Sequence, residues 1–131
     1  MANVVYPKAL IALMKGQIAL DTANIKAIIV DTADETYNAA DEFLSDIAGA
    51  GIVATTGNLA SKTIGVVATG VFDAADITLS AVTGDGTEAV IVYVDTGVAG
   101  TSRLLCWLDG TVVPNGNDIT IAWNASGIFS I

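Results

Sequence analysis

The spacing of apolar positions divides the chain into a short helical N-terminal part and a long β part. Residues 7–15 (PKALIALMK) predict a helix: Pro7 suits the first helical position, Leu10, Leu13 and Met14 share a face at i, i+3 and i+4, and Gly16 provides a stop. Residues 24–30 (NIKAIIV) are rich in β-branched side chains and predict a strand. Residues 38–47 predict a second short helix, with Asn38 as N-cap and Asp41 and Glu42 in the first turn. From residue 50 onward, strand-like runs follow at 52–55, 62–68, 76–81, 89–94, 103–108, 118–123 and 128–131. Clusters of Gly, Asn, Asp and Pro at 83–86, 95–97, 109–110, 114–117 and 125–127 separate the later runs. The expected fold is mainly β, a sandwich or barrel of antiparallel sheets with one or two short helices in the N-terminal third.

The strands differ in what their faces require. In residues 118–123, Ile119, Ile121 and Trp123 point one way and Asp118, Thr120 and Ala122 the other, so this strand has one wet face. Residues 89–94 and 104–108 are apolar on both faces and call for cover twice, by a second layer or by a neighbouring subunit. Trp107, Trp123, Phe129 and Ile131 crowd the last quarter, which makes the C-terminal strand part of the core.

Composition sharpens the second of these points. A chain of 131 residues is one domain, 1–131. It is 53 % hydrophobic and only 15 % charged, with a mean hydropathy of +0.63, more apolar content than a lone core of 13.3 kDa readily hides. That excess predicts a homo-oligomer or a subunit of something larger. The first thirty residues carry Lys8, Lys15 and Lys26 against Asp21 alone, a balance of +2 that leaves −11 for the rest of a chain whose net charge is −9. Residues 1–23 therefore form an N-terminal arm suited to docking on an acidic neighbour, with Tyr6, Leu10, Leu13 and Met14 as apolar contacts and Lys8 and Lys15 as charged ones. Arg103, the sole arginine, bridges a carboxylate within the fold or across that interface. The net negative charge disfavours nucleic acid. The longest apolar stretch, 9–20, is broken by Lys15, Gly16 and Gln17 and falls short of the roughly 20 residues of a membrane span. No basic and apolar leader opens the sequence, and the single Cys106 forms no internal disulfide, so the expected site of synthesis is a cytosol.

Candidate chemistry is sparse. The absence of histidine removes the usual near-neutral base, the commonest metal ligand and every Ser-His or Cys-His pair, and the expectation is a protein that is not an enzyme and holds no cofactor or metal. Asp31, Asp34 and Glu35, with Asp41 and Glu42 nearby, bear enough oxygen ligands for a hard cation but lack EF-hand spacing, and a solvated acidic loop is the simpler reading. Residues 84–88 (GDGTE) read as a hairpin tip, because no lysine or helix follows to make a phosphate loop. Asp73 and Asp76 have the residue types of a glycosidase pair, but few aromatics accompany them to stack a sugar ring. Cys106, inside an apolar strand, reads as a small buried hydrophobe. The Asn124-Ala-Ser126 sequon has meaning only in a secreted chain.

Several segments together resemble small virion proteins of tailed bacteriophages. They are Asn3-Val-Val-Tyr-Pro-Lys-Ala-Leu10 with Lys15-Gly16-Gln17, Val30-Asp-Thr-Ala-Asp34, Thr36-Tyr-Asn38 and Asp41-Glu-Phe-Leu-Ser-Asp-Ile47. Further along come Gly70-Val-Phe-Asp-Ala-Ala-Asp76, Ala81-Val-Thr-Gly84, Asp95-Thr-Gly97, Thr101-Ser-Arg-Leu104, Pro114-Asn-Gly116 and Asp118-Ile-Thr-Ile-Ala-Trp123. These are packing and turn words that cover most of the chain and contain no catalytic signature. Among virion roles, an acidic β-rich protein of this size is similar to capsid decoration, or cement, proteins. The resemblance implies assembly in the bacterial cytoplasm, location in the virion, and the major capsid protein or another virion protein as partner. A neck, tail or fibre component, or a carbohydrate- or cation-binding surface module using the acidic loops, is the alternative.

Overall fold

The computed structural model describes residues 4–47, 49–84 and 88–131, with backbone only at 110 and 111. The elements in order are β1 (Val4–Val5), α1 (Pro7–Met14), β2 (Ile25–Val30), β3 (Ile52–Thr55), β4 (Thr63–Ile64), β5 (Val71–Asp73), β6 (Ile77–Leu79), β7 (Glu88–Val94), β8 (Leu104–Val112), β9 (Ile119–Ile121) and β10 (Phe129–Ser130). The fold is mainly β, in antiparallel sheets, as the sequence predicts. The main sheet has the order β1-β8-β7-β2-β3, and two smaller sheets run β10-β5-β4 and β6-β9.

The two strands that are apolar on both faces lie in the middle of the main sheet. Ile91 of β7 faces Ile28 of β2 on one side and Trp107 of β8 on the other. On the face shared by Tyr6 and Trp107, cover comes from α1 and from the loop carrying Tyr37, whose ring lies 5.2 Å from that of Tyr6 and 6.2 Å from that of Trp107. On the opposite face, Cys106 and Leu108 look toward Ile128 and Phe129 of the C-terminal segment. Ala89, Val90, Ile91, Val92, Leu104, Leu105 and Cys106 are all buried by the chain itself. Burial of these strands thus needs no neighbouring subunit: the second layer is internal, and the apolar excess that remains is on the outer surface.

Three local differences from the sequence reading have identifiable causes. Residues 38–47 do not form a helix; only a single 3₁₀ turn occurs, at Leu44–Asp46. The Asn38 side chain accepts the N–H of Ala40 at 2.9 Å in a local turn, and the Asp46 carboxylate folds back to accept the N–H groups of Glu42 and Phe43 at 2.8 and 3.0 Å. Neighbouring backbone is tied to the 98–104 region, Leu44 N–H to Ser102 and Leu104 N–H to the Glu42 carbonyl, so helical i to i−4 partners are never available. At 109–110 the expected turn is absent because β8 continues through it. Two steps along β7, Glu88 to Val90, are matched by four along β8, Val112 to Leu108, and the extra residues are taken up as a bulge. The expected strand 62–68 shrinks to β4 because Gly65, at φ +72°, turns the chain, leaving Val66 and Val67 exposed. The hairpin tip read at 84–88 falls largely on residues 85–87, outside the described ones.

Candidate functional site

Helix α1 is entered from β1 through Tyr6, whose N–H donates to the Leu105 carbonyl at 2.9 Å and so carries the edge pairing one residue further. Pro7 then occupies the first turn. The helix closes in a Schellman arrangement: Gly16, at φ +71°, donates to the Leu13 carbonyl and Gln17 to the Ala12 carbonyl, at 3.1 and 2.9 Å. These fixed ends determine which stripe meets the sheet, and it is not the Leu10-Leu13-Met14 stripe. Ala9 and Ala12 are the buried residues of α1, with Leu13 half-buried beside them. Two methyl groups at i and i+3 let the helix axis approach the sheet closely, which the larger side chains would prevent.

The consequence is a helix with two of its large apolar residues, Ile11 and Met14, facing outward. Met14 is 87 % exposed and Ile11 51 %. They form a ridge with a different depression on either flank. On one side is an apolar groove of about 600 Å³ lined by Leu13, Ile18, Ala19, Leu20, Ile64 and Ile131, with Asp21 at its margin. On the other is a cleft of about 320 Å³ lined by Lys8, Lys15, Gln17, Glu42 and Arg103 along the Ile11 and Ala12 side of the helix.

Glu42 organises the charges of this cleft. It accepts a hydrogen bond from Arg103 Nη1 at 2.9 Å and lies 3.7 Å from Lys8 Nζ. The Arg103 guanidinium also lies over the Phe43 ring, 5.1 Å from its centroid, and Phe43 bridges to Arg103 through the backbone. Of the two readings of Arg103, the structure shows the contact within the fold. Lys26 is engaged elsewhere, 3.0 Å from Asp95, whose carboxyl is held below its ordinary range by that bond and by the Gly97 N–H. Lys62 donates to the Ala23 carbonyl.

Of the expected interface residues, Lys8, Leu10, Leu13, Met14 and Lys15 do lie on the outer side or flanks of α1. Tyr6 does not. It is fully buried against Tyr37, because its strand-continuing backbone directs the ring onto the Trp107 face, and it belongs to the core. The residues not foreseen are Ile11, Gln17, Glu42, Ile18, Ile64 and Ile131, the last expected in the core but 64 % exposed. Ile11 was legible as the alternative outward residue once Ala9 and Ala12 are read as a stripe. The others come from separate parts of the chain, and no local pattern marks them.

The other candidate sites resolve into local structure. Asp31 accepts the Ala33 N–H at 2.9 Å, and among the described residues no group of three or more His, Cys, Asp or Glu is placed to hold a metal ion. Asp76 accepts the Trp123 N–H at 3.0 Å. Burial pushes the Cys106 thiol up to about 12, which keeps it protonated at neutral pH. Asp41 is more unusual. It is 8 % exposed, its Oδ2 has no hydrogen-bond partner, and burial, reinforced by the negative charges of Glu35 and Asp46 and opposed by Lys8, raises its pKa above the ordinary carboxyl value. A carboxyl whose pKa is higher folded than unfolded contributes stability at acidic pH that is lost as pH rises through the folded value. Asp41→Asn is therefore expected to melt at a higher temperature than the parent near neutral pH, with the gap closing as pH falls through the raised carboxyl value and below the ordinary carboxyl range. A melting difference that is constant across this range would show that Asp41 titrates normally.

No protein-family model matches this chain, and no curated protein matches it. Among the described residues no helix is long and apolar enough to cross a membrane.

Proposed function

We propose that this chain is a structural subunit that acts without a chemical step, docking through the outer side of α1 and adding contact energy to a larger assembly. The observation that carries this reading is the orientation of α1, with alanines on the sheet and Ile11 and Met14 in solvent. Exposed apolar side chains that sit singly are ordinary; a ridge of them beside a groove lined by Leu13, Ile18, Ile64 and Ile131 is the form of a docking surface. The finer reading, drawn from the phage-like segments, is a capsid decoration protein present in many copies that clamps neighbouring capsomers of the head shell, with the major capsid protein as its partner.

The test is reconstitution. Particles stripped of this protein are expected to rupture at a lower temperature and to regain the original value when the wild-type chain is added back. Ile11→Asp/Met14→Asp chain is expected to fold normally, since both positions are exposed, but to co-sediment with particles at least about tenfold more weakly, a loss of roughly 1.4 kcal/mol or more. Equal heat resistance of stripped and complete particles would end the decoration reading. Undiminished co-sedimentation of the double variant would end the assignment of the docking face.

A further inference from the structure

Positive charge is scarce in this chain and unevenly used. It has five Lys and Arg against fourteen Asp and Glu, and three of the five, Lys8, Lys15 and Arg103, line one cleft beside α1. Lys26 and Lys62 are engaged elsewhere, with Asp95 and the Ala23 carbonyl. Glu42 is the one acidic residue of the lining and is shared by Lys8 and Arg103, Asp41 and Asp46 act on Lys8 from outside the lining, and among the described residues Lys15 has no ion pair. The lining itself thus holds three cations against one carboxylate, with Lys15 the charge left without an ion-pair partner, on a body of net charge −9. Gln17 adds an amide able to donate, and the Arg103 guanidinium is held in place by Glu42 and by its stack on Phe43. A guanidinium fixed in this way loses little further freedom when it takes a second carboxylate.

We propose that this cleft receives an acidic segment of the docked partner, one whose carboxylates enter between Lys8, Lys15 and Arg103 while adjoining apolar side chains lie on Ile11 and Met14. The inference rests on the reading of α1 as a docking surface and adds the chemistry of what docks there. Charge complementarity selects the occupant. Lys15 and Arg103 at the cleft offer a carboxylate cationic partners on an otherwise acidic protein, and the neighbouring ridge rewards a chain that carries apolar groups next to its acids. Isolated phosphate has no use for the ridge, and a nucleic acid would bring its other phosphates against the acidic body.

Labelled peptides alternating Glu with Leu, Gln with Leu and Lys with Leu test this by fluorescence anisotropy with the intact chain. The Glu-Leu peptide is expected to bind at least about tenfold more tightly than the Gln-Leu peptide at low salt, with the advantage shrinking as the Debye length falls to about 3 Å near 1 M salt. Lys15→Glu, an exposed change at the end of α1, is expected to remove that advantage while leaving Gln-Leu binding intact. Equal binding of the Glu-Leu and Gln-Leu peptides, preference for Lys-Leu, or no effect of Lys15→Glu overturns the cleft proposal, as does displacement of the Glu-Leu peptide by inorganic phosphate at comparable concentration. If Ile11→Asp/Met14→Asp leaves binding of all three peptides unchanged, it is the docking face itself that fails, which separates the two conclusions.

Discussion

Gly127→Ala is expected to lower the unfolding free energy by roughly 4 kcal/mol, a fall in Tm on the order of 15 °C for a chain of this length. Gly127 has φ +103°, and a Cβ built there would lie 2.2 Å from Val71 Cγ1 and 3.2 Å from the Phe72 carbonyl oxygen. The turn is anchored on both sides, since Gly127 donates to the Asn124 carbonyl and Ile128 to that of Phe72, each at 2.8 Å. The methyl group therefore has to turn the buried Val71 side chain out of its place or, where the packing around it does not yield, shift β5 against β10 and the Phe72–Phe129 ring pair at 5.3 Å. Gly97→Ala separates the two contributions. Gly97 has φ +85° but nothing within 4 Å of its Cβ position, so only the backbone penalty of about 1–2 kcal/mol applies. Thermal melts of the two variants read the difference directly, and equal losses would show that the approach of residue 127 to Val71 is not what demands glycine there.

Ile91→Ala is expected to cost about 3–5 kcal/mol, the range for emptying a site that its surroundings cannot refill. Ile91 is fully buried at the middle of the central strand, with Ile28 and Trp107 opposite it on its two neighbours. Both of those strands are pinned by further partners, so the sheet cannot contract around the lost atoms. In urea the transition midpoint should fall with the slope unchanged, as for a cavity in an otherwise intact two-state domain. Ile11→Ala provides the contrast: the same side chain on the outer side of α1 should change stability by no more than about 0.5 kcal/mol. A comparable loss at position 11 would mean that the helix packs with a different face inward.

These contrasts also show how far local pattern reaches. Helix α1, β2, β7, β9 and β10 lie within a residue or two of the segments that periodicity and turn residues predicted, because each combines its pattern with a matching stop such as Gly16, Asp95 to Gly97 or Gly127. The 38–47 segment has a helical pattern too, yet its side chains bond their own backbone, its Leu44 and Ser45 N–H groups donate to the 98–104 region and its Glu42 carbonyl accepts from it, a competition invisible in a local window. Asp109-Gly110 has turn chemistry, but pairing with β7 on either side, at Leu108 and Val112, carries β8 through both positions as a bulge. The short strands β1 and β5 lie in segments without an extended β-branched run, so no strand is expected there from the sequence.

The candidate docking surface divides in the same way. Its basic, apolar character was legible from Lys8, Lys15, Leu13 and Met14, which stand close together in the sequence. That Glu42 and Arg103 complete the cleft, and that Ile64 and Ile131 complete the groove, depends on contacts between residues tens of positions apart.

What the sequence determined by itself was class and character: antiparallel β structure, a short amphipathic helix near the start, an acidic body with its positive charge concentrated at one end. Composition and short-range periodicity are properties of the chain before it folds, and burial of apolar alternation leaves few architectures open to them. Tertiary structure alone decided that the twice-apolar strands are covered from within, that Tyr6 enters the core, and that α1 turns its alanines inward and Ile11 and Met14 outward. A helix with apolar groups on two stripes carries no local preference between them, so the choice falls to whichever stripe lets the helix approach the sheet while its ends stay anchored at Tyr6 and Gly16.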